Sequence, residues 1–478
     1  METEGIVVAG ARRGHPAPDE RFVVWSITIA FLFVLCADTL FGFVFRPYLD
    51  IANLDETTVL DVLTLIFAGS PERLPLDSWE PMMTAFTWLH THGMGRQGTE
   101  NVYDAVFFTQ HVKFQYPLTS LLPMELLSAV GLLHLRVYAM INLLLVIATA
   151  GGMALLMLDL AGRLGLDRPL RDTTARWALA GLGVLATLCF YPIVKAFAVG
   201  QMQVWLNAAF VFASLCFFRN RRVMAGALLG GSTLIKPQLS LFVLWALLRR
   251  EWGLVLGWVA VVVPGFAAAV ALYGFGPSIR YLDVLAFLGQ HGESYYSNQT
   301  VNGLLNRLLH NGANHLSTMG DDTEWRGSAF APYHPLVHVA TLASGVAFML
   351  FGLLWRIGGG ERDRMTSFLA AAVCFTLGSP ISWVPHYGVL LPAFAYLLFV
   401  LLDGARWDGP GRDRGRSLRL LLILSVLFAI ASNDFFQPLS QLADTTFNVL
   451  QSYLFFTSLA LLGLLVTTAG PLRKGAPR

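Results

Sequence analysis

Apolar runs of about 20 residues recur along this chain, divided by short junctions rich in arginine, and that spacing leaves few architectures open. A helix needs ~20 residues at ~1.5 Å each to cross the hydrocarbon of a bilayer, whereas a strand of an outer-membrane barrel needs only ~10 and alternates in polarity. The runs are long and continuous, so the chain reads as all-α, a polytopic bundle of transmembrane helices. Composition agrees: of 478 residues, 55% are hydrophobic and 13% charged, against roughly 25% charged in soluble domains. A net charge of +2 gives no case for binding nucleic acid. Cys36, Cys189, Cys216 and Cys374 lie in apolar runs without metal-ligand spacing and read as packing residues. The first run, Phe22 to Phe45, is too long for a secretory signal and lacks a small-residue cleavage site, so it reads as an anchor.

The arginines set the expected orientation. Arg12-Arg13, Arg163 to Arg176, Arg219 to Arg222, Arg249-Arg250, Arg356 to Arg364, Arg406 to Arg419 and Arg473-Lys474 mark the cytoplasmic side. Only 26 residues separate Arg222 from Arg249, too few for two full crossings, so a pair of short helices bending at Lys236-Pro237 is expected. A similar hairpin turns at Ser379-Pro380-Ile381-Ser382-Trp383. Three hydrophilic stretches then fall outside: 46–116, 276–332 and 433–447. The run from Pro117 to Leu133 is read as dipping in without crossing, which gives about twelve spans with both termini cytoplasmic. No repeat of 20–50 residues is evident.

The first outer stretch collects acids and aromatics. Trp79 to His90 has apolar residues at helical spacing and reads as an amphipathic interfacial helix, with Asp77 and Glu80 at its first turn. Either acid can serve the helix dipole, or act as a general base at the membrane surface. Asp50, Asp55 and Asp61 read as solvated loop acids. Lysine is scarce, four residues against twenty-nine arginines, yet Lys113, Lys195 and Lys236 all fall at expected outer ends of spans. Snorkelling to the interface is one account of them; a cationic cluster for an anionic lipid headgroup is the other. Gly200-Gln201-Met202-Gln203 and the amide-rich Ser297 to Arg307 repeat the pattern of polar groups at outer ends. A Walker loop, a Gly-rich dinucleotide fingerprint and a His-Glu-x-x-His helix are all missing from the sequence. An enzyme of this composition working outside would draw its activated donor from lipid.

Taken in order, Gly200-Gln201-Met202-Gln203, Ala225 to Gln238 with Lys236-Pro237, Ser297-Asn298-Gln299-Thr300, and Ser379-Pro380-Ile381-Ser382-Trp383 to His386 resemble the motifs of glycosyltransferase family 87, membrane enzymes of GT-C type. Phe114-Gln115-Tyr116-Pro117 resembles the family's aromatic-Tyr-Pro step. The resemblance covers about residues 20–405. It implies a GT-C-like catalytic module at 22–405, flanked by tails 1–21 and 471–478, a linker at 406–417 and a C-terminal hairpin at 418–470.

The resemblance further implies transfer of a sugar, mannose or another hexose or arabinofuranose, from a polyprenyl-phosphate donor to a hydroxyl of a glycolipid or glycan. An acid in the first outer loop is then the base, with Glu80 as first choice and Asp77 as second. Lys113, Lys195, Lys236 and His386 are the expected donor-phosphate residues. Gln201, Asn298, Gln299, Trp383, Tyr116 and Trp79 are expected near sugar or lipid. Where the family pairs two histidines after its Ser-Pro-Ile-Ser-Trp motif, this chain has Pro385-His386, so only His386 carries over. A lipid phosphate leaves readily, so one base and fixed cations suffice without a metal or cofactor, and direct displacement inverts the anomeric centre. The competing reading is a transporter or flippase of a lipid-linked sugar, using the same cationic groove.

Overall fold

The computed structural model describes residues 59–67, 69, 73–92, 101–163, 173–309, 330–405, 414–435, 439, 441–443 and 445–469. Among them every regular element is helical, and the one extended pairing is an isolated antiparallel bridge between Asn298 and Trp383. Five helical segments are long and apolar enough to cross a membrane: Leu135–Arg163, Trp252–Tyr273, Pro335–Leu354, Val384–Gly404 and Thr446–Thr468. A sixth forms if Thr173–Leu188 and Tyr191–Ala198, bent by 55°, are one broken span. The expected anchor at Phe22 to Phe45 lies outside the described residues, as do Asp50 and Asp55.

Both expected hairpins form, and proline explains their bends. Arg222–Ile235 ends at Lys236, whose extended backbone (φ −131°, ψ 100°) is the conformation a following proline enforces; a 3₁₀ turn, Pro237–Ser240, then leads into Leu241–Leu248. Glu361–Leu377 likewise breaks before the 3₁₀ turn Val384–Leu390 and helix Leu391–Ala405. The run after Pro117 is a 3₁₀ turn, Leu118–Leu121, joined to Leu122–Ala129. Those residues extend only ~18 Å at ~1.5 Å each, short of a ~30 Å crossing.

Arg222–Ile235 and Trp252–Tyr273 touch backbone to backbone. A Cβ on Gly226 would lie 2.0 Å from the Leu254 carbonyl oxygen, and one on Gly257 would lie 1.9 Å from that of Val223. Glycine spaced as Gly226-x-x-x-Gly230 and Gly253-x-x-x-Gly257 permits this approach where no hydrophobic drive joins helices in lipid. At the arginine-bearing ends, Arg249 donates to the carbonyls of Leu353 (2.8 Å) and Trp355 (2.5 Å), while Glu251 accepts from Arg222 (3.3 Å) and Arg364 (2.8 Å). Arg249 therefore closes the C-terminus of Pro335–Leu354.

The two largest apolar cores among the described residues flank the bend at Lys236-Pro237. One centres on Phe210, Phe217, Phe242, Trp245 and Phe368, with Phe217 and Phe368 stacked at 4.7 Å. The other lies under the first loop and includes Trp79, Phe86, Tyr103, Phe107, Phe114 and Tyr138. Trp79–His92 turns Trp79, Met82, Ala85, Phe86 and Leu89 into this second core, the face its periodicity predicts. Leu239 packs against both cores, so the bend at Lys236-Pro237 lies between them.

Candidate active site

The first loop is fastened to the start of helix Gln203–Phe218 by short-range fit. Gly200 adopts φ +66°, and a Cβ there would sit 2.4 Å from the Pro75 carbonyl oxygen; only glycine meets both demands. Asp77 donates its backbone N–H to Val199 (3.2 Å), and Ser78 Oγ accepts from the Met202 N–H (3.0 Å). Ser78 also shares a 2.8 Å hydrogen bond with the Tyr116 hydroxyl, and Tyr103 donates to the Tyr116 carbonyl at 2.9 Å. The result sets Gln201 against Asp77, its Nε2 donating to Oδ2 at 2.9 Å. That contact leaves Oδ1 as the outer edge of the carboxylate.

The two hairpin bends meet beside it. Lys236 Nζ hydrogen-bonds His386 Nε2, and His386 Nδ1 lies 3.0 Å from the Trp383 carbonyl oxygen. A carbonyl only accepts, which puts the imidazole proton on Nδ1 and leaves Nε2 to accept from the ammonium. Ser379 Oγ donates to Gln238 Oε1 at 3.3 Å and ties the bends a second time.

A third group completes the constellation. Lys113 Nζ pairs with Glu293 Oε1 at 2.5 Å and lies 4.3 Å from the centre of the Phe330 ring. The other oxygen of Glu293 accepts from Trp383 Nε1, also at 2.5 Å. Lys113, Lys236 and Glu293 all act electrostatically on Asp77. Asp77 is solvent-exposed on one side, with many protein atoms crowded around it on the other. Desolvation is the largest influence and raises its carboxyl above the ordinary value; Gln201, Lys113 and Lys236 oppose that shift and Glu293 adds to it. Desolvation, with the Asp77 charge second, also holds the Tyr116 hydroxyl up, so it remains neutral.

The structure thus brings Asp77, Gln201, Lys113, Lys236, His386 and Trp383 together. Glu80, one turn along, is exposed and lines a separate cleft of about 640 Å³ with Trp79, Thr84, Thr87, Trp88 and Gln110. Lys195 is half-buried on Tyr191–Ala198, a helix packed against Val384–Leu390, and is not among the charges acting on Asp77. Asn298 and Gln299 are fully buried with their amides engaged inside the protein. Asn298 accepts from the Ser382 N–H (3.2 Å) and donates to the Glu293 carbonyl (3.1 Å). Gln299 accepts from the N–H groups of Leu454 (3.1 Å) and Phe455 (3.3 Å) and donates to the carbonyl of Gln451 (2.7 Å).

Sequence reasoning passed over Glu293, Ser78 and Arg307. Arg307 is fully buried and donates to the carbonyls of Tyr295 (3.0 Å) and Asn298 (2.9 Å) and to Ser452 Oγ (2.6 Å), which fixes the loop carrying Glu293. The available signal was local: a Glu and an Arg bracket the amide-rich segment, an acid and a base close enough in sequence to share its fold.

A carboxylate with an elevated pKa beside paired cations is equipped to take a proton while phosphate charge develops nearby. Residues 114–382 match the profile of glycosyltransferase family 87. Two similar proteins are both described as polyprenol-phosphate-mannose-dependent alpha-(1-2)-phosphatidylinositol pentamannoside mannosyltransferases. The one from Mycolicibacterium smegmatis is 29% identical over 227 residues, 46% of this chain and 49% of its own length. The one from Mycobacterium tuberculosis is 26% identical over 369 residues, 75% of this chain and 74% of its own length. The chain therefore spans about half of the first relative and about three quarters of the second. No solved structure matches it. The matched segment takes in more than half of the chain, including Tyr116, Gln201, Lys236 and Glu293, and the protein belongs to glycosyltransferase family 87.

Proposed function

We propose that the protein transfers a sugar, mannose in the first instance, from a polyprenyl-phosphate donor to a hydroxyl of a glycolipid or glycan acceptor. The reaction takes place at the outer face of a membrane, in a GT-C-type bundle of about twelve spans with both termini cytoplasmic. The observation that carries this reading is that Asp77 lies within the electrostatic reach of Lys113, on the first loop, and of Lys236, at the bend between two apolar helices. The relatives' dependence on polyprenol-phosphate-mannose supports the donor class.

Asp77 is the base in this scheme. Gln201 fixes Oδ2, leaving Oδ1 to accept the acceptor's hydroxyl proton. The oxygen attacks the anomeric carbon from the face opposite the phosphate, and the lipid phosphate departs with the bonding pair of electrons. Lys236, steadied by His386, and Lys113 stabilise the charge it gains. No step is assigned to a metal or cofactor. The cleft bearing Glu80, Trp79 and Trp88 offers hydroxyl, carboxylate and indole groups to an approaching acceptor glycan.

Purified protein in liposomes, offered polyprenyl-phosphate sugars with a phosphatidylinositol mannoside acceptor, tests the reading. Labelled sugar should appear on the acceptor with one polyprenyl phosphate released per transfer. Movement of intact donor across the bilayer without transfer would replace the enzyme with a flippase.

A further inference from the structure

We infer that Glu293 is a positioning residue, which holds the Lys113 ammonium and the Trp383 indole in fixed relation at the rim of the site; this rests on the glycosyltransferase reading. The carboxylate is wholly buried, and both its oxygens are bound at 2.5 Å, one by Lys113 and one by Trp383. A buried carboxylate is costly unless paired, and loop fastening alone does not call for a charge. Here the charge is aimed at a cation of the site and at the turn that carries His386.

Its backbone is held from both sides. Glu293 N–H donates to Asn302 Oδ1 at 3.2 Å, and its carbonyl accepts from Asn298 at 3.1 Å. Gly292 precedes it at φ +66°, and a Cβ there would fall 1.7 Å from Asn302 Oδ1. One carboxylate thus joins the first loop, the second loop and the second hairpin bend, segments 180 and 90 residues apart in sequence. The amide-rich segment acquires a purpose by this account: Asn298 and Asn302 set Glu293, and Glu293 sets the groups that meet the donor.

Glu293 also belongs to the field around Asp77. The groups facing that carboxylate are Lys113, Lys236 and Glu293, the amide of Gln201, and the hydroxyls of Tyr116 and Tyr138. Glu293→Gln removes the negative charge that pairs with Lys113 and faces Asp77. The loss of that charge favours ionised Asp77, so the acid limb of the kcat/KM profile should move to lower pH.

The test compares wild type, Glu293→Gln and Glu293→Asp in reconstituted transfer of labelled polyprenyl-phosphate mannose across pH. Glu293→Gln keeps size and the bond from Trp383, and should lose about tenfold in kcat with its acid limb shifted down. Glu293→Asp keeps the charge but is too short to reach both partners; it should lose rate with its limb at the wild-type pH. A cycle with Lys113→Met should show that Glu293→Gln costs far less once Lys113 is gone. Unchanged limbs in both variants, or additive losses in the cycle, would overturn the inference. Absence of transfer by wild type would be a different result, sinking the enzyme reading itself.

Discussion

At the scale of single residues, the site turns on which acid accepts the proton. Asp77→Asn should lower kcat by about 10²–10⁴-fold while donor binding persists, since general-base help is worth that much. Glu80→Gln, altering the acceptor cleft, should raise acceptor KM with a smaller effect on kcat; single-turnover and steady-state rates separate the two. The pH sign follows from the crowding of protein atoms around Asp77: the base works deprotonated and that desolvation raises its carboxyl, so transfer should fall with acidification. The same shift makes ionised Asp77 a stability cost at neutral pH, relieved as pH falls through the raised value. Of the three lysines singled out in the sequence, Lys113 and Lys236 act on Asp77, whereas Lys195 is not among the charges that do. Glu293 could not be paired with Lys113 by inspection, because 180 residues separate them and only the folded helices bring them together.

At the scale of elements, proline and arginine made the hairpins readable, since a Pro-enforced bend and a short Arg-to-Arg interval are local signals. The packing between elements was not local, and carries its own expectations. Gly257→Val would drive a side chain into the Val223 carbonyl and force two helices apart, so the detergent-solubilised protein should lose its cooperative thermal transition or melt well below wild type. Gln299→Ala removes the acceptor for the Leu454 and Phe455 N–H groups and the donor to Gln451, all buried; each orphaned group costs about 1–3 kcal/mol, and the melting temperature should drop accordingly. The amide motif was legible as polar groups near a site, but its spacing also suits sugar binding, and only the hydrogen bonds show that Asn298 and Gln299 are engaged within the protein.

For the whole molecule, helical class and membrane residence followed directly from the length of the apolar runs. Span number did not, because helices such as Gln203–Phe218 and Arg222–Ile235 are shorter than a full crossing and the lengths alone identify five or six spans among the described residues. Sidedness can be read by labelling: in a cysteine-depleted background, Gln110→Cys should react with an impermeant maleimide from outside, and Asn220→Cys only after permeabilisation, both native positions being exposed. The central claim is a sugar transferred from lipid phosphate with Asp77 as base. It is tested most directly by single-turnover transfer from labelled polyprenyl-phosphate mannose in liposomes, comparing wild type with Asp77→Asn at matched donor occupancy. The account expects rapid transfer by wild type and bound, unreacted donor in the variant. Transfer by Asp77→Asn at the wild-type rate would contradict it.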